Sequence, residues 1–121
     1  MEPQFVWEPL DADGVARIRW TTGAVITADL ARATIAELVS LTGGKRVPVL
    51  VDIRQQKSMT REARTFYGNS TDTFSALALL AGSPATQVIA NFFIGLNRPN
   101  VPTKMFTDDE KALTWLRRYV V

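Results

Sequence analysis

The sequence contains neither cysteine nor histidine. A Ser-His-Asp triad, a cysteine nucleophile, a structural zinc site and a thiol redox switch are therefore excluded, because each needs an imidazole or a thiolate. An enzyme would have to work with Asp, Glu, Lys, Tyr or Ser. We expect a protein that is not an enzyme and that holds no cofactor or metal. Disulfides are also excluded, and the stretch MEPQFVWEPL has acids and prolines where a secretion signal has a basic and an apolar region. We expect a cytoplasmic protein.

A long apolar run and an excess of one charge are missing too. The most apolar segment, VIANFFIGL, has nine residues, whereas a membrane-spanning helix needs about 20. The 14 basic and 12 acidic residues give a net charge of +2, which is too balanced for a protein that binds nucleic acid. The 121 residues, of which 46% are hydrophobic, fit a single globular domain over residues 1–121.

Short strands separated by tight turns open the chain. The residue patterns predict strands over residues 4–10, 15–20 and 24–27. The stretches DADG and TTG between them place glycine where a tight turn needs a positive φ. Alternation puts Ile18 and Trp20 on one face of the second strand and Arg17 and Arg19 on the other, solvated face. This part of the chain predicts an antiparallel meander.

After Thr27 the hydrophobic period changes from two to about 3.6 residues, which predicts a helix. Its apolar face comprises Ala31, Ile35, Leu38 and Val39, and two glycines at 43 and 44 end it. Strand and helix then alternate over residues 47–53, 60–69, 75–81, 84–96, 103–106 and 108–119. This βαβαβα order is typical of parallel pairing, so the sequence predicts a mixed α/β sheet with four helices.

The later elements carry their own signals. Ser83 before Pro84, and Thr107 three residues before Glu110, are N-cap patterns for the last two helices. The sheet strands should bury Val49, Val51, Ile53, Leu77 and Leu79 together. The apolar stripe of the third helix comprises Ala85, Val88, Ile89, Phe92, Phe93 and Leu96.

The stretch VLVDIRQQKSMTREA resembles the strand, loop and helix start of the SpoIIAA-like STAS domains, the family of the anti-sigma-factor antagonists. In that family an apolar strand ends in Asp-Leu-Ser and a loop leads to Asp-Ser-Ser-Gly at a helix start. Residues 51–53 match the strand end, residues 58–59 lead into the helix, and residues 60–63 stand in the place of Asp-Ser-Ser-Gly. The segment from 76 to 116 also resembles small, stand-alone bacterial SpoIIAA-like proteins of uncharacterised function. The resemblance implies a SpoIIAA-like fold and a noncatalytic regulatory domain of bacterial signalling with a protein partner.

The chain departs from the family at the phosphorylation site. The second serine of the family motif accepts the phosphoryl group in the antagonists, and Glu62 stands in its place. A carboxylate cannot accept that group, so we predict no phosphorylation there. Ser58 and Thr60 are nearby hydroxyls, but Thr60 is better explained as an N-cap whose oxygen accepts a backbone N–H.

The same stretch supplies the candidate site, at the carboxyl end of a predicted parallel strand, where open α/β sheets bind ligands. Its residues are Arg54, Lys57, Ser58, Thr60, Arg61 and Glu62. The basic side chains and the helix N-terminus favour an anion, while a solvated loop or a protein-binding surface is the alternative. Asp52 and Glu62 could be read as a catalytic acid-base pair, but the sequence does not favour this interpretation, because no nucleophile or metal-ligand spacing accompanies them. Asp52 is better explained as an acceptor for loop N–H groups.

Two classes of function remain open. The first is a noncatalytic regulatory or protein-interaction domain. The second is a carrier of a small apolar, lipid-like or anionic ligand, since STAS folds resemble part of the CRAL-TRIO lipid-transfer domains. A carrier requires a cavity of roughly 300 Å³ or more, and Phe92 and Phe93 are the residues to line it.

Apolar residues at both ends of the sequence predict self-association. The apolar side chains of residues 5–7 and 119–121 add more apolar surface than one small domain is expected to bury. Since most homo-oligomers close through a two-fold axis, we predict a homodimer that uses the N-terminal meander or the last helix.

Overall fold

Strands and helices alternate along most of the chain. The computed structural model describes residues 4–8, 12–70, 72–97 and 101–120. Its strands are β1 (Phe5–Glu8), β2 (Ala16–Trp20), β3 (Ala24–Ile26), β4 (Val47–Asp52), β5 (Gln56–Met59), β6 (Phe74–Leu80) and β7 (Thr103–Phe106). Its α-helices are α1 (Ala28–Thr42), α2 (Arg61–Gly68), α3 (Pro84–Asn97) and α4 (Asp109–Leu116), and a 3₁₀ turn follows at Arg117–Tyr119. No helix among these residues is long and apolar enough to cross a membrane.

A five-stranded sheet with the order β1-β2-β4-β6-β7 forms the centre of the molecule. β1 is antiparallel to β2, and the remaining pairs in this sheet are parallel. The mixed α/β class and the βαβαβα order are thus confirmed. The expected meander is limited to β1 and β2, because β3 pairs in parallel with β5 in a separate two-stranded sheet.

The turn after β2 explains why β3 leaves the meander. Gly23 adopts a φ of 77°, which only glycine reaches without strain. Its N–H donates to the Gln55 carbonyl at 2.8 Å. This bond directs the chain toward β5 instead of back along β2.

The helix ends follow local chemistry. The Thr27 hydroxyl caps α1. Gly43 ends that helix in the left-handed conformation, as the sequence predicts. The Ser83 hydroxyl accepts from the Thr86 N–H at 3.2 Å at the start of α3. The N-cap of α4 is Asp108 and not Thr107, because the Asp108 carboxylate accepts from Glu110 N–H at 2.9 Å and a negative charge is favoured at a helix N-terminus.

The helices divide unequally between the two faces of the sheet. We call the side covered by α1, α2 and α3 the three-helix face, and the other side the α4 face. On the three-helix face the sheet contributes Val49, Ile53, Leu77 and Leu79, all buried as predicted, while Val51 is half-buried. On the α4 face a second apolar cluster comprises Val15, Leu50, Ala76, Ala78, Leu80, Ala112 and Leu116.

Two valines predicted to face the core are exposed. Val39 in α1 is 40% exposed and Val88 in α3 is 66% exposed. The buried face of α3 is rotated toward Thr86, Ala90 and Phe93, which lie at i, i+4 and i+7. Thr86 takes a buried position because its hydroxyl accepts from the Gly82 N–H at 2.9 Å. A hydrophobicity pattern misses such a polar anchor.

Candidate functional site

The segment between β4 and α2 is more ordered than a loop. A turn at residues 54–55 leads directly into β5, which pairs in parallel with β3. The Thr60 N–H then donates to the Ile26 carbonyl at 2.9 Å, so the backbone is held until α2 begins. The sequence QKSM gave no strand signal, since it has neither a run of β-branched residues nor a clear alternation.

Asp52 and Arg54 form the best-defined ion pair at the end of β4. Asp52 is 4% exposed, and the Arg54 guanidinium donates to both of its carboxylate oxygens, at 3.0 and 2.7 Å. The Arg54 backbone N–H also donates to Asp52, at 3.1 Å, which confirms the role expected for that carboxylate. Because its guanidinium is paired with Asp52, Arg54 is not available to bind an external anion, and fewer basic side chains of the candidate site remain for that role.

Two further charges extend this pair. Arg17 lies 3.9 Å from the Asp52 carboxylate and 2.9 Å from that of Asp109, in the first turn of α4. Burial alone would raise the pKa of Asp52, but the hydrogen bonds and charge of Arg54, together with the charge of Arg17, lower the pKa below its ordinary value. Of the two arginines on the face of β2 that was expected to be solvated, Arg17 is therefore half-buried, whereas Arg19 is exposed.

The remaining predicted residues lie at the start of α2. We call residues 57–62 the α2 start segment. Its side chains at Lys57, Ser58, Arg61 and Glu62 are exposed. The Thr60 hydroxyl accepts from the Ala63 N–H at 3.2 Å, which confirms its role as the N-cap.

The acid-base pair considered from the sequence finds no support in this geometry. Asp52 is buried in ion pairs, and Glu62 is exposed in the first turn of α2. Within the part of the chain that the structure describes, no group of three or more acidic side chains could hold a metal ion. The segment can therefore offer exposed charges and a hydroxyl on a fixed backbone, which suits recognition of another molecule.

A cavity lies on the three-helix face, where Phe93 was expected to line one. The cavity has a volume of about 60 Å³, and Trp20, Gln56, Tyr67 and Phe93 are among its lining residues. The Phe92 side chain, also expected there, lies outside the described part of the structure. The volume is well below the roughly 300 Å³ that a lipid-sized ligand requires.

Comparison with known proteins assigns a family. The model of the family described as "Domain of unknown function (DUF7793)" matches residues 10–120. The chain belongs to this family. A search of curated proteins gave no match for this DUF7793 chain.

Solved structures establish the fold of this DUF7793 domain. An uncharacterised DUF3478-family protein with a SpoIIAA-like fold from Shewanella loihica superposes with a TM-score of 0.66 at 17% identity, over 93% of this chain and 91% of that chain. An anti-sigma factor antagonist from Mycobacterium paratuberculosis gives 0.63 at 17% identity, over 93% and 94%. The antagonist SpoIIAA in its unphosphorylated form gives 0.58 at 15% identity, over 93% and 97%. The DUF7793 domain therefore has the SpoIIAA-like fold, which confirms the resemblance seen in the sequence.

Proposed function

We propose that this DUF7793 domain is a noncatalytic regulatory domain that binds a protein partner through the α2 start segment. The SpoIIAA-like fold supports the proposal, since two of the similar structures are anti-sigma factor antagonists. Fold alone does not carry function. The observation that carries the proposal is the combination of exposed charges and a fixed backbone in this segment.

The backbone of the α2 start segment is held at both ends. β5 pairs with β3 at Gln56, Ser58 and Met59, with a register shift at Lys57, and the Thr60 cap fixes the first turn of α2. The side chains of Lys57, Ser58, Arg61 and Glu62 nevertheless remain exposed. A surface that is ordered before binding loses less conformational entropy when a partner docks, which increases affinity.

Glu62 makes the proposed interaction independent of phosphorylation. It stands where the resemblance places the acceptor serine, and the neighbouring Thr60 hydroxyl is engaged as the helix cap. A carboxylate carries one negative charge, against about −1.5 to −2 for a phosphoserine. We therefore expect a domain whose binding state is not switched by a kinase at this position.

Site-specific crosslinking tests the proposal. A photoreactive amino acid at position 58, in the α2 start segment, should crosslink to one protein in the cells that encode the chain. The same group at Lys45 is the control, because Lys45 is exposed and precedes β4, at the opposite end of the sheet. The crosslinked protein is then identified by mass spectrometry and purified.

Titration calorimetry with that purified protein completes the test. Arg61→Glu reverses an exposed charge within the segment and should weaken binding about tenfold. The matched reversal Lys45→Glu should change the affinity less than about twofold. Equal losses for the two variants, or crosslinks of equal yield from positions 58 and 45, would count against the proposal.

A homodimer and a cytoplasmic location stay predictions. The argument for surplus apolar surface is weakened at β1, since the Phe5 ring packs against Trp20 at 5.7 Å and Trp7 donates to the Thr34 carbonyl at 3.0 Å. Val120 is 43% exposed, and β1 and β7 are the outer strands of the sheet. Light scattering should give twice the chain mass of 13.4 kDa, and a constant 13.4 kDa at every concentration would exclude the dimer.

A further inference from the structure

The cavity on the three-helix face contains polar groups without partners. Gln56 is 5% exposed and Trp20 is 2% exposed, and both line the cavity. Among the described residues, three side-chain atoms lack a hydrogen-bond partner: the amide nitrogen and amide oxygen of Gln56 and the indole nitrogen of Trp20. Three polar atoms are therefore buried and unsatisfied beside one small space.

Such groups are costly to bury. Leaving a buried donor or acceptor unpaired costs about 1–3 kcal/mol, and nearly all buried polar groups in proteins are paired. Gln56 is fixed in place by its backbone, because its N–H donates to the Ile53 carbonyl at 3.1 Å and its strand partner is Ala24. A glutamine held there without partners points to a molecule that supplies them.

The other polar groups that line the cavity are already paired. The hydroxyls of Thr34 and Tyr67 share a hydrogen bond of 2.6 Å, and the Trp7 indole donates to the Thr34 carbonyl. Burial raises the pKa of Tyr67 to about 12, an effect reduced by the bond to Thr34, so its hydroxyl is neutral at physiological pH. The free capacity of the cavity is thus three N–H donors, one from the Trp20 indole and two from the Gln56 amide, and the Gln56 amide oxygen as acceptor.

The lining also fixes the charge and size of an occupant. No Asp, Glu, Lys or Arg is among the described lining residues, so a charged ligand would lose its hydration without compensation. A volume of about 60 Å³ exceeds the 10–15 Å³ that one water needs and is smaller than the 150 Å³ of an engineered benzene cavity. Met59 lies half-buried in the lining, and its flexible thioether can move to widen the space.

We propose that this cavity binds a small, neutral, largely apolar molecule with a single hydroxyl group. The hydroxyl donates to the Gln56 amide oxygen and accepts from the Gln56 amide nitrogen or the Trp20 indole. The apolar part lies against the aliphatic and aromatic lining. This site is separate from the α2 start segment, and the inference does not depend on the proposed protein partner.

Three probe molecules small enough for this cavity separate the contributions. Ethanol carries an apolar chain and a hydroxyl, propane lacks the hydroxyl, and acetate carries a charge. Nuclear magnetic resonance of the protein should show ethanol shifting the side-chain amide signals of Gln56 and the indole N–H signal of Trp20. Propane should bind about tenfold more weakly, because it leaves the polar atoms unpaired. Acetate should not shift these signals.

Two variants assign the effect to Gln56. Gln56→Leu removes the unpaired amide at similar volume and should bind ethanol and propane with equal affinity. Gln55→Leu is the matched control, because the neighbouring Gln55 is exposed and its substitution should leave the preference for ethanol intact. If Gln56→Leu does not fold, the preference of the unmodified protein for ethanol over propane still tests the proposal.

Three outcomes would overturn the proposal. The Gln56 and Trp20 signals could remain unchanged at the highest ethanol concentration at which the protein stays folded. Propane could bind the unmodified protein as tightly as ethanol. Finally, the Gln56 amide could show contacts to bound water that persist when ethanol is added, which would mean that the cavity is a water site only.

Discussion

The α4 face and the three-helix face of one sheet are packed by different means. On the α4 face, the small side chains of Ala76, Ala78 and Ala112 let Leu50 and Leu80 lie close to the helix, and all five residues are fully buried. On the three-helix face, larger aromatic and branched side chains meet from three helices and leave a cavity. A single helix can approach a sheet closely over alanines, whereas three helices meeting over one face do not fill every gap.

Buried polar groups differ between the faces in the same way. Alternation along β4 places Asp52 on the α4 side with Leu50, and its carboxylate is paired with Arg54 and Arg17. On the three-helix face, Gln56 is buried without a partner. The α4 face thus supports structure, while the three-helix face retains space and unused hydrogen-bonding capacity that suit a ligand.

The largest expected effect comes from two adjacent leucines in β6. Leu80 is fully buried on the α4 face, while Leu79 is 6% exposed and lines the cavity. Replacing a buried leucine by alanine costs about 2–5 kcal/mol, depending on how closely the side chain is packed and on the size of the void left behind. We expect Leu80→Ala to cost about 4–5 kcal/mol and Leu79→Ala about 2–3 kcal/mol, because Leu79 already lacks neighbours on its cavity side.

Urea unfolding monitored by circular dichroism measures both variants. Each serves as the control for the other, since the residue type, the strand and the substitution are identical. Equal costs, or a larger cost for Leu79→Ala, would contradict the contrast between a closely packed and a loosely packed face.

The sequence predicted the elements of the fold wherever periodicity and caps agree. The helix between Thr27 and Gly43 was predicted because the hydrophobic period changes after Thr27 and glycine ends the helix, and the strand at 103–106 has the predicted bounds. β5 was missed, since QKSM is a strand only through its pairing with β3. Pairing between distant segments overrides local propensity, and a single sequence does not display it.

The candidate site was predicted only in part for a similar reason. The cap at Thr60 and the bond from the Arg54 N–H to Asp52 are local and were predicted correctly. The contact of Arg17 with Asp109 joins residues 92 positions apart, and no residue pattern encodes that separation. The cavity depends on how three helices meet, which likewise has no local signature.

The smaller expected effect concerns the paired and unpaired polar groups. Asp52→Asn removes a charge that accepts three hydrogen bonds from Arg54. Charge-assisted bonds contribute about 1.5–3 kcal/mol, and we expect a loss near the lower figure at neutral pH, because the Arg54 side chain is 41% exposed and becomes hydrated. Gln56→Leu should be neutral or stabilising, since it removes a buried amide that has no partner.

The pH dependence distinguishes this loss from a general packing defect. Because the pKa of Asp52 is lowered in the folded state, its contribution is complete above the unfolded-state pKa of about 3.9 and is lost as the pH falls through the lower folded-state pKa. The difference in stability between the unmodified protein and Asp52→Asn should therefore be constant near neutral pH and shrink in that acidic range. Asp29→Asn is the control, because that carboxylate is 99% exposed in a surface pair with Arg32 and should change little. A difference that stays constant through the acidic range, measured by thermal unfolding at each pH, would show that Asp52 acts through packing alone.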